Sequence, residues 1–183
     1  MKYLNKERVL IIIDGSNFYH RLKENGLSGL LGFDYKEFSE FLAGNRKCIA
    51  SNYYIGAIRE ESNNQKSREL MINQQKLIGR LKSCGWQVHF GHMLKTDGYH
   101  EKGVDVLMAV DLLVGAYEDL YDTAVLVSSD TDLIPAIAKV RAMGKKVEYI
   151  GFSHAPSLGM VKESDVPILL LKEDLERFKI KEN

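Results

Sequence analysis

The 183-residue sequence predicts an α/β fold with three layers, in which helices cover both faces of a mainly parallel central sheet. Short runs of β-branched and aliphatic residues alternate along the chain with longer segments of helical periodicity, which is typical of strand–helix–strand units. The first run, VLIII at residues 9–13, is continuously apolar. A strand of this kind is typical of a parallel sheet that is covered on both sides.

The first half of the chain contains three predicted strands separated by helices. A helix is predicted over residues 17–23, directly after the first strand. Asp34 is a candidate N-cap for the next helix, in which Phe38, Phe41 and Leu42 lie at helical spacing. The other elements predicted here are a strand over 51–58, a helix over 63–83 that ends before Gly85, and a strand over 86–90.

The second half begins with a polar, glycine-containing segment over residues 92–103, which we predict to be a loop. Residues 104–117 form a predicted helix that is apolar nearly all round, which is typical of a buried helix. The last predicted elements are strands over 124–127, 146–150 and 167–171, a helix over 133–143, and a short amphipathic helix with Leu171, Leu175 and Phe178 on one face.

Length and composition predict one domain over residues 1–183, with a core over about 8–172 and a short C-terminal helix over 172–180. No apolar run approaches the roughly 18 residues of a spanning helix, and the polar start MKYLNKERV does not resemble a signal peptide. We therefore expect a cytoplasmic protein with no membrane partner. Cys48 and Cys84 lack CxxC spacing and are expected to be reduced cysteines of the core.

The charge balance argues against a protein that coats nucleic acid by electrostatics alone, because 25 basic residues are matched by 25 acidic ones. The charges are nevertheless uneven along the chain. Residues 97–132 contain nine Asp or Glu and one Lys, whereas residues 59–82 contain six Lys or Arg and three Glu. An acidic cluster beside basic segments suits a cation site that faces a polyanion, and chance clustering on solvated faces is the alternative.

Carboxylates end two of the predicted strands. Asp14 follows the first strand, and Asp130 and Asp132 follow the strand over 124–127. Since open α/β sheets bind ligands beyond the carboxyl ends of their strands, these acids are candidates for one site. Asp105 and Asp111 lie on the apolar helix between them, about 240° apart at ~100° per residue, so one site can hardly use both.

Asp105 is the better candidate of these two, because it lies in the first turn of its helix beside the polar segment. Asp111 is expected to pair with a basic side chain or to reach the surface. Hard divalent cations such as Mg²⁺ prefer oxygen ligands, so converging aspartates suit them better than they suit zinc. Metals held by carboxylates are suited to phosphodiester hydrolysis.

Structural roles remain open for the same acids. Asp14 could form an Asx turn or cap the following helix, and Asp132 could cap the helix that begins at Leu133. Two other site types are disfavoured by single residues. Phe18 stands where a metal-dependent adhesion site requires its second serine, and Ser16 stands where a haloacid-dehalogenase-type phosphatase requires its second acid.

Three motifs that contain these residues resemble the NYN domain family, of the LabA-like (DUF88) type, within the PIN-like nuclease superfamily. They are IDGSNFY at 13–19, EKGVDVLMAVDLL at 101–113 and VSSDTDLIPAI at 127–137, and their order and spacing also match. The resemblance covers about residues 8–172. It implies a PIN-like, Rossmann-like fold and an enzyme: a metal-dependent endoribonuclease that hydrolyses phosphodiester bonds of single-stranded or structured RNA.

The resemblance also implies roles for individual residues. Asn17 would orient a carboxylate or contact phosphate, Ser16 would lie beside a bound cation or phosphate, and Lys102 would lie near the RNA backbone. Ser129 departs from the family pattern, because many members carry glycine before the aspartate, and it would lie beside the substrate. The implied ligands of one or two Mg²⁺ or Mn²⁺ ions are Asp14, Asp105, Asp130 and Asp132.

A second hypothesis is a catalytically silent module that uses the same fold to bind RNA or a protein partner. Retention of the four aspartates favours the enzyme, because a module without catalysis would not need such a costly cluster. A homodimer is compatible with the sequence, although no exposed apolar stripe can be identified in it as an interface.

Overall fold

A parallel six-stranded sheet forms the centre of the molecule. The computed structural model describes residues 6–27, 29–58, 64–95 and 99–180, and at 92–95 and 99–102 it describes the backbone alone. In chain order the strands are β1 (Arg8–Asp14), β2 (Lys47–Ile55), β3 (Gln87–Phe90), β4 (His92–Lys95), β5 (Tyr99–Lys102), β6 (Thr123–Val127), β7 (Lys146–Phe152) and β8 (Val166–Leu170). The order across the sheet is β3, β2, β1, β6, β7, β8, and every pairing is parallel.

Helices cover both faces of this sheet, which confirms the predicted fold class. They are α1 (Gly15–Glu24), α2 (Tyr35–Ala43), α3 (Gln65–Ser83), α4 (Val104–Tyr117), α5 (Ile134–Ala142), α6 (Leu158–Glu163) and α7 (Lys172–Glu176). The core residues of α1, α2, α3 and α7 share one apolar cluster, and those of α4, α5 and α6 share another.

Strand β1 separates the two clusters by the alternation of its side chains. Val9, Ile11 and Ile13 belong to the first cluster, whereas Leu10 and Ile12 belong to the second. All five are buried. The continuous apolar run is therefore the consequence of burial on both faces, since successive side chains of a strand point to opposite sides.

The strands on the two sides of β1 come from different halves of the chain. β2 and β3 continue on one side of β1, and β6, β7 and β8 continue on the other. The strand order therefore reverses between β1 and β6, where Ile13 lies opposite Val127. A crevice forms at such a reversal beyond the carboxyl ends of the strands, and ligands of open α/β sheets bind there.

The prediction of a loop over residues 92–103 is wrong. β4 and β5 form an antiparallel hairpin, in which His92 pairs with Lys102 and Lys95 pairs with Tyr99. Residues 96–98 between them lie outside the described part of the chain. The segment was predicted as a loop because its sequence, HMLKTDGYHEKG, is rich in polar residues and glycine and shows no regular apolar alternation.

Helix α4 has the predicted bounds but not the predicted burial. Met108, Leu112 and Ala116 are buried against the sheet. The opposite side carries an apolar stripe in which Val106 is 65% exposed and Tyr117 is 82% exposed, with Val110 and Val114 exposed between them. A sequence that is apolar all round therefore does not establish burial all round, and an exposed apolar stripe is present after all.

Several helices and strands begin or end at residues other than the predicted ones. β2 runs earlier than the predicted 51–58, and the predicted helix over 133–143 is divided into a short 3-10 helix, Thr131–Leu133, and α5. Helix α6 was not predicted, and the predicted start of α3 at residue 63 lies outside the described residues. Cys48 and Cys84 are free thiols, but Cys48 is exposed rather than part of the core.

Within the described residues, no helix combines the length and the apolarity that crossing a membrane requires.

Candidate metal centre

Asp14 is delivered to the crevice by the central strand. It is the last residue of β1, lies opposite Tyr54 of β2, and is only 6% exposed. Its Oδ1 accepts a hydrogen bond from the backbone N–H of Asn17 at 2.9 Å, so the carboxylate also caps α1. The capping role that the sequence left open is therefore real, but it occupies one of the two carboxylate oxygens and does not exclude a second role.

Gly15 is required beside Asp14 because the chain passes very close to β2. A Cβ atom at this position would lie 2.4 Å from Cε1 of Tyr53 and 2.7 Å from the backbone oxygen of Tyr54. The hydroxyl of Tyr53 donates to the carbonyl of Gly15 at 3.4 Å. Close packing, rather than an unusual backbone angle, is thus the reason for glycine in the IDGSN motif.

The end of β6 brings the second carboxylate to the same edge. Ser128 is fully buried directly after the strand, and its hydroxyl donates to Oδ2 of Asp14 at 3.1 Å. The same hydroxyl accepts from the backbone N–H of Asp130 at 3.1 Å. Asp130 in turn caps the 3-10 helix, since its Oδ1 accepts from the N–H of Asp132 at 2.9 Å. One serine therefore connects the two acidic segments.

The third carboxylate comes from the start of α4. Gly103 connects β5 to this helix with φ of 82°, a left-handed conformation that glycine adopts without steric cost. Asp105 lies in the first helical turn, as the sequence predicted. The turn at Gly103 thus connects β5 directly to α4, which places Asp105 close to the junction of the two elements.

Asp14, Asp105 and Asp130 converge, each with a carboxylate oxygen within 4.8 Å of those of the other two. The pKa of Asp105 is raised by burial first and then by the charges of Asp130, Asp14 and Asp132. The pKa of Asp14 is raised by burial, partly offset by the hydrogen bonds from Asn17 and Ser128. No ion pair between described side chains includes any of the three, so their mutual repulsion is not relieved by a described basic group.

Asn17 supports this centre by connecting two of its segments. Its side-chain oxygen accepts from the backbone N–H of Ser129 at 3.2 Å, which ties the loop after β6 to the start of α1. The hydroxyl of Ser129 lies 3.4 Å from that of Tyr149. Asn17 therefore orients the segment that carries Asp130, and Ser129 supplies backbone to that contact.

A cavity of about 390 Å³ opens over the three carboxylates. Ser16 and Asn17 line it, whereas Ser129 is not among its described lining residues, and the predicted substrate contacts of all three stay a prediction. The side chain of Lys102 lies outside the described part of the chain, so its predicted position near RNA stays a prediction. The full described lining is Asp14, Ser16, Asn17, His20, Gly103, Val104, Asp105 and Asp130.

Asp132 and Asp111 take different positions from the three converging acids. Asp132 is exposed and is not in the group of oxygens within 4.8 Å, although its charge raises the pKa of Asp105. Asp111 accepts a hydrogen bond from the hydroxyl of Tyr54 at 2.7 Å and lies 3.9 Å from Nδ1 of His89. The angular argument that separated Asp105 from Asp111 agrees with this arrangement.

Two residues of the site were missed in the sequence. Ser128 precedes the noted serine in VSSD, and a hydroxyl directly after a buried strand beside an acid was the available signal. His20 lines the cavity three residues after Asn17, at the spacing that places two side chains on one helix face.

The NYN domain family matches residues 8–169 of this sequence, so the match covers most of the chain. The chain belongs to the NYN domain family. The predicted NYN domain family is thereby confirmed. No curated protein matches the sequence.

Three solved structures are similar to this chain, and the first of them shows the same fold. The crystal structure of a protein of unknown function from Vibrio parahaemolyticus is 23% identical, with a TM-score of 0.68, over 93% of this chain and 96% of that one. A zinc-bound T5 5'-exonuclease is 15% identical (TM-score 0.46; 85% of this chain, 60% of that one). A bacteriophage T5 flap endonuclease in complex with DNA and metal ions is 14% identical (TM-score 0.43; 78% and 55%).

The donor set fits a hard divalent cation. Three carboxylates from three separate elements lie close enough for a single ion, and their charges repel one another. Mg²⁺ and Mn²⁺ take oxygen ligands, keep several waters, and commonly use few protein carboxylates each. The cavity above the acids leaves room for such waters and for a substrate oxygen.

Proposed function

We propose that this protein is a metal-dependent nuclease that hydrolyses phosphodiester bonds of RNA. The observation that carries the proposal is the convergence of Asp14, Asp105 and Asp130 at the strand-order reversal of an NYN domain. These three acids would hold one or two Mg²⁺ or Mn²⁺ ions, and Asp132 would approach the ions from the exposed side. The bound metal would supply activation of a water molecule and stabilisation of charge on the phosphate oxygens.

The chain's own part in this reaction is to hold its carboxylates in place. Asp14 is fixed by its bonds from Asn17 and Ser128, and Asp130 is fixed through the backbone contacts of its loop. Ligands with preset orientations do not have to be ordered when the substrate binds. Ser16 and His20, on the wall of the cavity, are positioned to contact the phosphodiester or a water molecule.

The silent-module hypothesis has less support from this geometry. Three carboxylates that repel one another in a partly buried site destabilise the folded chain, and a surface for RNA or protein binding would be better formed without them. RNA as the substrate rests on the family resemblance, and the two nucleic acids are therefore compared directly in the test.

The test is cleavage of labelled single-stranded RNA and DNA by purified protein in Mn²⁺ or Mg²⁺. We expect cleavage of RNA by the wild type and a loss of about 100-fold or more in Asp14→Asn and in Asp130→Asn, with folding retained by circular dichroism. Glu173→Gln, at an exposed acid in the first turn of α7, is the control and should keep full activity. Equal rates in all four proteins would mean a contaminating nuclease and would overturn the proposal.

A further inference from the structure

A second cavity lies directly beside the carboxylate site. It has a volume of about 490 Å³ and lies beyond the carboxyl ends of β1 and β2. Ser16 lines both cavities, and the chain from Asp14 to Gly15 passes from one to the other. The second cavity therefore adjoins the place where a scissile phosphate would lie.

The walls of this second cavity are mainly apolar. Leu30, Leu31, Ile55 and Leu77 contribute to the lining. Tyr19, Ile58 and Leu70, three large apolar side chains that remain exposed, also converge on it. Exposed apolar groups gathered in a concave site mark a ligand-binding surface more often than a solvated one.

Side-chain hydrogen bonds fix the walls in advance. The buried Gln74 of α3 accepts from the N–H of Ile58 at 2.8 Å and donates to the carbonyl of Gly56, so it clamps the segment after β2. On the other side, Arg80 donates to the carbonyl of Leu31 at 2.6 Å and holds a second short 3-10 helix, Leu30–Gly32. A cavity with fixed walls loses little conformational entropy when it binds a ligand.

We propose that this cavity binds an unpaired nucleobase of the strand whose phosphate lies at the carboxylates. The inference rests on the proposed nuclease function. A base offers two apolar faces for the leucine and isoleucine walls and for the ring of Tyr19, and a polar edge for the carboxamide of Asn73 at the rim. Bases in a duplex are stacked and paired, so they cannot enter, and the cavity selects single-stranded substrate.

Asn73→Trp is the principal test, because this exposed helical residue lines the cavity and a tryptophan there would fill it. Gln75→Trp, exposed on the same helix but not among the described lining residues, is the matched control. With short single-stranded RNA and DNA in Mn²⁺, we expect Asn73→Trp to raise KM by about tenfold or more and Gln75→Trp to leave it within about twofold. Tyr19→Ala should raise KM and Tyr19→Phe should not, because the phenyl ring retains the stacking surface.

A second measurement does not depend on cleavage. Adenosine and cytidine 5'-monophosphate are titrated in EDTA while the methyl signals of Leu30, Leu70 and Leu77 are followed by NMR. We expect shifts at these methyls in the wild type and in Gln75→Trp, and none in Asn73→Trp.

The outcomes separate the two proposals. Cleavage by the wild type with equal KM in the two tryptophan variants overturns the base-binding proposal and leaves the nuclease intact. Methyl shifts with the mononucleotides, lost in Asn73→Trp, support the cavity as a nucleobase site even if the protein cleaves nothing. Shifts with octanoate but not with either mononucleotide would assign the cavity to an aliphatic ligand and overturn the proposal.

Discussion

The hydroxyl of Ser128 donates to Oδ2 of Asp14 at 3.1 Å, across the junction of two adjacent parallel strands. Ser128 also accepts from the N–H of Asp130, so one buried side chain orients both acidic segments of the site. Two segments that are distant in sequence therefore hold the carboxylates of Asp14 and Asp130 in place before any ion binds.

Ser128→Ala should weaken both the fold and the metal site. It removes the donor to the buried Asp14 and leaves the partly buried N–H of Asp130 without this acceptor, a loss of about 1–3 kcal/mol in the free energy of unfolding. The affinity for Mn²⁺ should fall about 10-fold or more, as expected when an outer contact to a ligand is lost. Urea unfolding and calorimetric titration would measure the two effects.

Ser129→Ala is the neighbouring control for that variant. Among the described residues, its hydroxyl has one long contact, to the hydroxyl of Tyr149 at 3.4 Å, while its backbone N–H binds Asn17 and is unchanged by the substitution. We expect the free energy of unfolding of Ser129→Ala to stay within about 0.5 kcal/mol of the wild-type value. Equal losses in the two variants would show that Ser128 has no special role.

Asp105→Asn should stabilise the metal-free protein and weaken its response to metal. Burial and the charges of Asp130, Asp14 and Asp132 raise the pKa of Asp105, which means that its charged form is disfavoured in the folded state. Removing the charge at pH 7 should raise the Tm in EDTA by a few degrees. Mn²⁺ should raise the Tm of the wild type more than that of the variant, since a ligand stabilises the state that binds it. An identical Mn²⁺ response in both proteins would remove Asp105 from the metal site.

Gly15→Ala should be strongly destabilising, although it adds one methyl group. The new Cβ would lie 2.4 Å from the ring of Tyr53 and 2.7 Å from the backbone of Tyr54, and the backbone atom cannot move away cheaply. We expect a loss of about 2–3 kcal/mol in denaturant unfolding. Gly79→Ala, in the open surface of α3, should instead stabilise the protein by about 0.5–1 kcal/mol. Equal effects at the two sites would contradict the packing argument.

Asp122→Asn should reveal a pH-dependent contribution to folding stability from the ion pair between Asp122 and Arg8, at the start of β1. Arg8 donates to Asp122 from its backbone N–H at 2.7 Å and from its guanidinium at 2.7 Å, which lowers the pKa of Asp122 from 3.8 to about 2. An acid with a lowered folded-state pKa stabilises the fold above its unfolded value, and this stabilisation is lost as the pH falls toward 2.

The stability difference between wild type and Asp122→Asn should therefore be constant above about pH 5 and should shrink between about pH 4 and pH 2. Urea unfolding at several pH values would measure it. Because the Asp122 side chain is 42% exposed, we expect a difference of at most about 1 kcal/mol. Glu118→Gln, at an exposed acid nearby in the chain, serves as the control for removal of one surface charge. A difference that grows toward low pH would contradict the ion-pair account.

Much of the site could be predicted because its acids stand at ends of strongly patterned elements. Asp14 and Asp130 follow buried strands, and parallel strands deliver their carboxyl ends to one edge. Ser128 was missed because its importance lies in a contact to Asp14, 114 residues away in the chain. No local pattern encodes such a contact.

The errors in the fold have a similar origin. The hairpin β4–β5 is polar and contributes no periodic apolar face, so its pairing could not be read from the sequence. Helix α4 is apolar all round, yet contact with the sheet covers only one side of it and leaves Val106 and Tyr117 exposed. Apolarity limits where a helix can lie, but only its neighbours determine which side is covered.

The sequence by itself determined the parallel α/β fold, the family and the acids at the strand ends, because burial on both faces of a sheet and short motifs leave local patterns. The tertiary structure decided which carboxylates converge, that Asp132 lies outside the close group, and that an apolar cavity adjoins them. These properties depend on distances between elements remote in the chain. Strand order and close packing, as at Gly15 against β2, fix those distances, so the sequence of a single segment does not predict them.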